Sequence, residues 1–278
     1  MIPSEVLLDQ PDCWLKFSAI LPDFHALQAR MALDSAGVVE SLGLERAAYG
    51  NDPRQWVELA KAPGKAQLVP VMIHGGYWRA LRAEDHRFVL TALAQMGYGV
   101  ANVEYRLMPG ARMDDLVQDT VAGLRRIAAS FPAARLVPVG HSAGAHLALA
   151  ALHRDGELRA STAGVVAISG IYDLSLVARS FLQDELALTG DEVARLSITS
   201  LPDVPTLLIT GSAETEPFQI QADALATTRR NARRIRVSRC HHMNILHACF
   251  SAGAPLVPVL HDWLSDRPIP QTIEVSAP

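Results

Sequence analysis

Cysteine is scarce in this chain: Cys13, Cys240 and Cys249 are the three among 278 residues. An odd, widely spaced set cannot pair completely, which argues against a disulfide scaffold and for reduced thiols. A metal site built from Cys240, His241, His242 and His247 is the remote alternative, since the cysteines show no metal-ligand spacing. Long apolar runs are missing as well. None approaches the roughly 18 residues a membrane helix needs. Excess positive charge is also lacking: 25 Lys and Arg against 29 Asp and Glu give a net charge of −4. No basic field is therefore available to hold nucleic acid or an anionic membrane. The opening Met1-Ile2-Pro3-Ser4-Glu5 has neither the positive start nor the apolar core of a signal peptide. These absences point to a cytoplasmic protein that binds neither nucleic acid nor membrane, and leave a homodimer open.

What is present is a globular composition, 49% hydrophobic and 19% charged, long enough to bury one sizeable core. Apolar strands alternate with helices. Gln67 to Ile73, Tyr98 to Tyr105, Arg135 to Val139, Ala163 to Ser169, Pro205 to Thr210 and Arg234 to Ser238 read as strands. Several are continuously apolar, as in a sheet covered on both faces. Trp56 to Ala60 reads as a further short strand after a turn at Tyr49 to Gln55, and Pro63-Gly64 as a hairpin-like break. Helical periods fall at Asp85 to Met96, Asp114 to Ser130, Phe218 to Asn231 and Pro255 to Leu264. The pattern predicts an α/β fold with a mostly parallel sheet and helices on both faces. Its main domain would span 46–266, with a helical insertion at about 174–201. Residues 1–45 would be a helical N-terminal extension packed on the core, and 267–278 a loose tail.

The chemistry gathers at strand ends, where open α/β sheets place their functional groups. Gly140-His141-Ser142-Ala143-Gly144, between a strand and an Ala/Leu helix, fits a nucleophile elbow, with Ser142 lifted clear of the sheet. His74-Gly75-Gly76-Tyr77-Trp78 ends a strand about 65 residues earlier, where an oxyanion loop is expected. The N–H groups of Gly75 or Gly76 and of Ala143 are the candidate oxyanion donors, and His74 a structural residue. A base is offered by Cys240-His241-His242, with His242 preferred over His241. The acid comes from the turn after Thr210: Glu214 first, Glu216 second. Asp173 is a third choice, better explained as a helix cap.

These segments resemble arylformamidases, also called kynurenine formamidases, which are related to the hormone-sensitive-lipase-like esterases. The resemblance rests on His74-Gly75-Gly76-Tyr77-Trp78, Glu104-Tyr105-Arg106-Leu107, Gly140 to Leu147, Ser169-Gly170-Ile171-Tyr172-Asp173-Leu174 and Gly211 to Glu214. It runs from about residue 49 to 247. Glu214 stands where the family usually has aspartate, and Met243 where it has phenylalanine after the histidine. The resemblance implies an α/β-hydrolase fold and a Ser142–His242–Glu214 triad acting on an N-formylated arylamine or a small ester. No metal or organic cofactor is called for. Tyr77, Trp78, Phe218 and Met243 are the expected aromatic and apolar pocket. The competing expectations are a general short-chain carboxylesterase and a non-catalytic hydrolase-fold binding protein.

Overall fold

The structure is a computed structural model that describes residues 10–62, 67–251 and 253–276. Residues 1–5, read as lacking signal-peptide features, and the break at Pro63-Gly64 lie outside the described residues.

Among the described residues nine strands form one sheet: β1 (Glu45–Ala48), β2 (Trp56–Ala60), β3 (Leu68–Ile73), β4 (Val100–Val103), β5 (Arg135–His141), β6 (Val165–Ile168), β7 (Thr206–Gly211), β8 (Ala232–Ser238) and β9 (Thr272–Ser276). Their order is β1-β2-β4-β3-β5-β6-β7-β8-β9. The first two are joined antiparallel, β1 to β2 and β2 to β4. All later pairings are parallel. The longer helices are α1 (Phe24–Ser35), α2 (Arg87–Gln95), α3 (Met113–Ser130), α4 (Ala143–Arg154), α5 (Glu216–Ala226) and α6 (Leu256–Leu264).

Side chains alternate across a strand, so the central strands feed two separate cores. Val69, Val71, Ile73, Leu136, Ala167 and Leu208 pack on the face covered by α3 and α4. Met72, Val137, Val139, Ile168, Leu207 and Ile209 pack on the other, with residues of α2 and α6. α4 is buried from Ala143 through Leu152. Its Ala/Leu composition has high helix propensity, and the small alanines let it lie close to the sheet.

Two strands escape the sequence pattern. β1 is largely exposed and carries Glu45 and Arg46, so no apolar run marks it. Residues 267–278, expected as a loose tail, instead supply β9, which pairs in parallel with β8 from Arg234↔Thr272 to Ser238↔Ser276. Residues 174–201, expected as a helical insertion, hold three short helices, Leu174–Val177, Gln183–Leu186 and Gly190–Leu196. No helix among the described residues is long and apolar enough to cross a membrane.

Candidate active site

β5 ends at His141, and Ser142 follows with φ 56 and ψ −119. A non-glycine residue reaches that region only when its surroundings over-determine it. Here the Ser142 N–H donates to the Ile168 carbonyl at 2.8 Å, and the Ser142 carbonyl accepts from Ala145 N–H at 3.0 Å as α4 begins. The turn holds the Ser142 hydroxyl out at the carboxyl end of the sheet.

His242 meets it from the loop after β8. Its Nε2 lies 2.9 Å from Ser142 Oγ, and its Nδ1 lies 3.2 Å from Glu214 Oε2. A carboxylate can only accept, so Nδ1 carries the proton and Nε2 presents its lone pair to the serine hydroxyl. All three groups are buried: Ser142 3%, Glu214 6% and His242 3% exposed. The other carboxylate oxygen of Glu214 accepts from Ser169 Oγ at 2.5 Å and from Gly211 N–H at 2.8 Å. Ser169 is a residue that sequence reasoning missed. It sits at the end of β6 with φ 49, and nothing local in its motif signals which side chain it meets.

The alternatives separate by position. His241 points its Nε2 to Asp23 at 3.4 Å. Glu216 is exposed at the start of α5. Asp173 caps the Leu174–Val177 helix by accepting from Ser175 N–H at 2.8 Å. His247 faces Asp34 at 3.0 Å.

The glycine loop lies beside the serine. A methyl group built on Gly75 would come within 3.1 Å of Ser142 Cβ. Gly76 has φ +112, and a methyl group there would fall 2.0 Å from the Ala80 carbonyl oxygen. Ala143 is the first residue of α4, so its N–H has no carbonyl one turn behind it and faces the positive end of the helix. His74 holds the loop from beneath. Its Nδ1 donates to the Gly75 carbonyl at 2.7 Å, and Tyr105 stacks on its ring at 4.1 Å while donating its hydroxyl to the His74 carbonyl at 2.8 Å.

A cavity of about 300 Å³ opens over Ser142 and His242, walled by Phe17, Phe24, Met31, Tyr77, Phe181 and Met243. Two expected pocket residues are elsewhere. Trp78 is fully buried in the core, edge-on to His146 at 5.3 Å. Phe218 is fully buried against the His242 ring at 4.6 Å. A tryptophan or phenylalanine near a site looks the same in sequence whether it faces substrate or core. The aromatic wall comes instead from Phe17 and Phe24 of the N-terminal segment and Phe181 of the insertion.

Burial keeps a set of histidines neutral around the site. It lowers the basicity of His74 and His141 well below the usual imidazole range, lowers that of His86, and brings His146 to about 4. In the unfolded chain each takes up a proton below about pH 6.5. The unfolded state then binds more protons than the folded one, so stability falls as pH drops below about 6.5. Each such group contributes a slope of about 1.4 kcal/mol per pH unit within its window. Glu104, raised to about 7 mainly by burial, acts in the opposite direction but is one group against four. The expected result is a loss of at least about 2 kcal/mol between pH 7 and pH 5, read from urea denaturation midpoints. Equal midpoints at the two pH values would contradict it.

A family model described as the α/β-hydrolase fold matches residues 70–208, half of the chain. Kynurenine formamidase of Salmo salar is 33% identical over 150 residues, covering 52% of this chain and 50% of that protein. Kynurenine formamidase of Danio rerio is 30% identical over 155 residues, with 54% and 53% covered. The chain thus spans about half the length of the curated relatives it matches. Among solved structures, a proposed thioesterase from Silicibacter sp. TM1040 superposes with a TM-score of 0.80 at 24% identity, covering 91% of this chain and 98% of that one. Likeness at that identity speaks for the fold alone. With its strand order, its strained serine turn and the match across half its length, this chain belongs to the α/β-hydrolase family.

Proposed function

We propose that this chain is a serine hydrolase cleaving the formamide of an N-formylated arylamine, of which N-formyl-L-kynurenine is the test compound. The observation that carries the reading is His242 bridging Ser142 Oγ at 2.9 Å and Glu214 Oε2 at 3.2 Å. His242 takes the hydroxyl proton as Ser142 Oγ bonds to the formyl carbon. Glu214 stays ionised and stabilises the imidazolium without taking its proton. The N–H groups of Gly75 or Gly76 and of Ala143 hold the tetrahedral oxyanion. The C–N bond then breaks, with the His242 proton going to the departing amine. Water repeats the sequence on the formyl-enzyme, and formate leaves. Nucleophile, base and oxyanion donors all come from the chain.

A formyl group offers almost nothing to bind, so selectivity must come from the leaving group. The aromatic lining of the cavity by Phe17, Tyr77, Phe24 and Phe181 suits a flat aryl ring packed by dispersion and stacking. The same machinery cleaves esters, which sets the test. Steady-state kcat/KM on N-formyl-L-kynurenine should exceed that on p-nitrophenyl acetate. An ester preference of about a hundredfold or more, near 3 kcal/mol at the transition state, would replace the formamidase reading with a carboxylesterase one.

A further inference from the structure

The imidazole of His242 is boxed by rings, and one of them comes from the far end of the chain. Phe17 stacks on His242 with centroids 4.3 Å apart and planes at 20°. Phe218 and His141 meet the same ring at 4.6 Å and 5.0 Å, tilted by 53° and 38°. Phe17 is itself 5% exposed and packs on Tyr77 at 5.9 Å and on Phe218 at 5.7 Å.

The segment around Phe17 is tied to three stretches beside the site. Tyr77, next to Gly76, donates its hydroxyl to the Leu15 carbonyl at 2.8 Å. Thr215, next to Glu214, donates its hydroxyl to the Trp14 carbonyl at 2.9 Å. Phe181 of the insertion donates its N–H to Asp12 Oδ1 at 2.7 Å. Glycine loop, acid turn and insertion therefore converge on residues 12–17, and the side chain they fix in place lies flat on the imidazole.

That contact answers a mechanical need. The χ2 rotation of histidine is broad and roughly two-fold, so the side chain alone does not select a ring plane. The Glu214 bond, at 3.2 Å, is long for a charge-assisted one and by itself restrains rotation weakly. We propose that Phe17 is a positioning residue that fixes the His242 ring plane, so that Nε2 meets Ser142 while Nδ1 meets Glu214. The proposal rests on the reading of His242 as the base. Phe17 acts through His242 and takes no part in bond making.

The test compares Phe17→Leu and Phe17→Met, which remove the flat ring, with Phe17→Tyr, which keeps it. Turnover of methyl acetate is followed in a pH-stat, because a substrate this small gains no stacking from residue 17. Non-aromatic variants that still melt cooperatively should lose about tenfold or more in kcat with KM within about twofold, the signature of a misplaced catalytic group. Phe17→Tyr should stay within about threefold of wild type. The downfield proton resonance of the His242–Glu214 bond should broaden or vanish in Phe17→Leu and persist in Phe17→Tyr. A Phe17→Leu or Phe17→Met protein with wild-type kcat and an intact resonance overturns the proposal, as does a folded Phe17→Tyr as impaired as Phe17→Leu. Activity retained in His242→Ala is a separate failure: it removes the base reading itself, whatever the Phe17 variants do.

Discussion

Alanine at Ser142 is expected to lower kcat/KM by about 10⁵-fold on any accepted substrate, and alanine at His242 to do nearly the same. The two losses should not add. Without His242 the Ser142 hydroxyl stays protonated and is a poor nucleophile. Without Ser142 the base has no proton to take. The double variant should therefore match either single one, with residual turnover coming from the oxyanion donors and substrate binding. Ser142 and His242 are each 3% exposed, and within hydrogen-bond reach of each other they act as one unit. Steady-state kinetics on the three variants checks this. Single losses that multiply in the double variant would mean that the two residues act independently.

The second large effect is structural. Gly144 lies in the first turn of α4, where a methyl group would fall 2.1 Å from the Ile73 carbonyl oxygen and 2.5 Å from that of His74. Both obstacles are backbone, so no side-chain rotation relieves the clash. Gly144→Ala must push α4 off the end of β3 or bend the strand that leads into the glycine loop. α4 carries one of the most deeply buried runs in the chain, Ala143 to Leu152, and displacing it opens the core beneath. The expected cost is about 4 kcal/mol or more, at the extreme of single substitutions. Urea denaturation of Gly144→Ala should show a far lower midpoint or no folded baseline. A midpoint close to wild type would show that the strand–helix approach tolerates a side chain.

How much of this could be read from the residues depends on how local each signal is. The apolar strands β3, β5, β6 and β7 announce themselves because both of their faces are buried. β1 and β9 lie at the two edges, where half the side chains meet water and the apolar signal is lost. The turn at Ser142 is legible because glycines must flank a tight strand–helix junction. The loop that carries His241 and His242 is legible because it follows a late strand, which offers both histidines alike. Asp173 was legible as a cap because its side chain bonds two residues ahead. Phe17, Phe181 and Ser169 carry no such mark. Their places beside the site come from contacts with residues distant in sequence, and an isolated phenylalanine or serine gives no hint of its partner. Trp78 misled for the converse reason: it adjoins the glycine loop in sequence, yet its ring points into the core.

The most direct test of the central claim is covalent labelling with a fluorophosphonate, read by intact mass and peptide mapping. The expected result is one adduct per chain, located on Ser142, formed rapidly in the wild-type protein and slowed by orders of magnitude in His242→Ala. Well-folded wild-type protein that remains unlabelled, or an adduct mapped to another residue, would contradict the account.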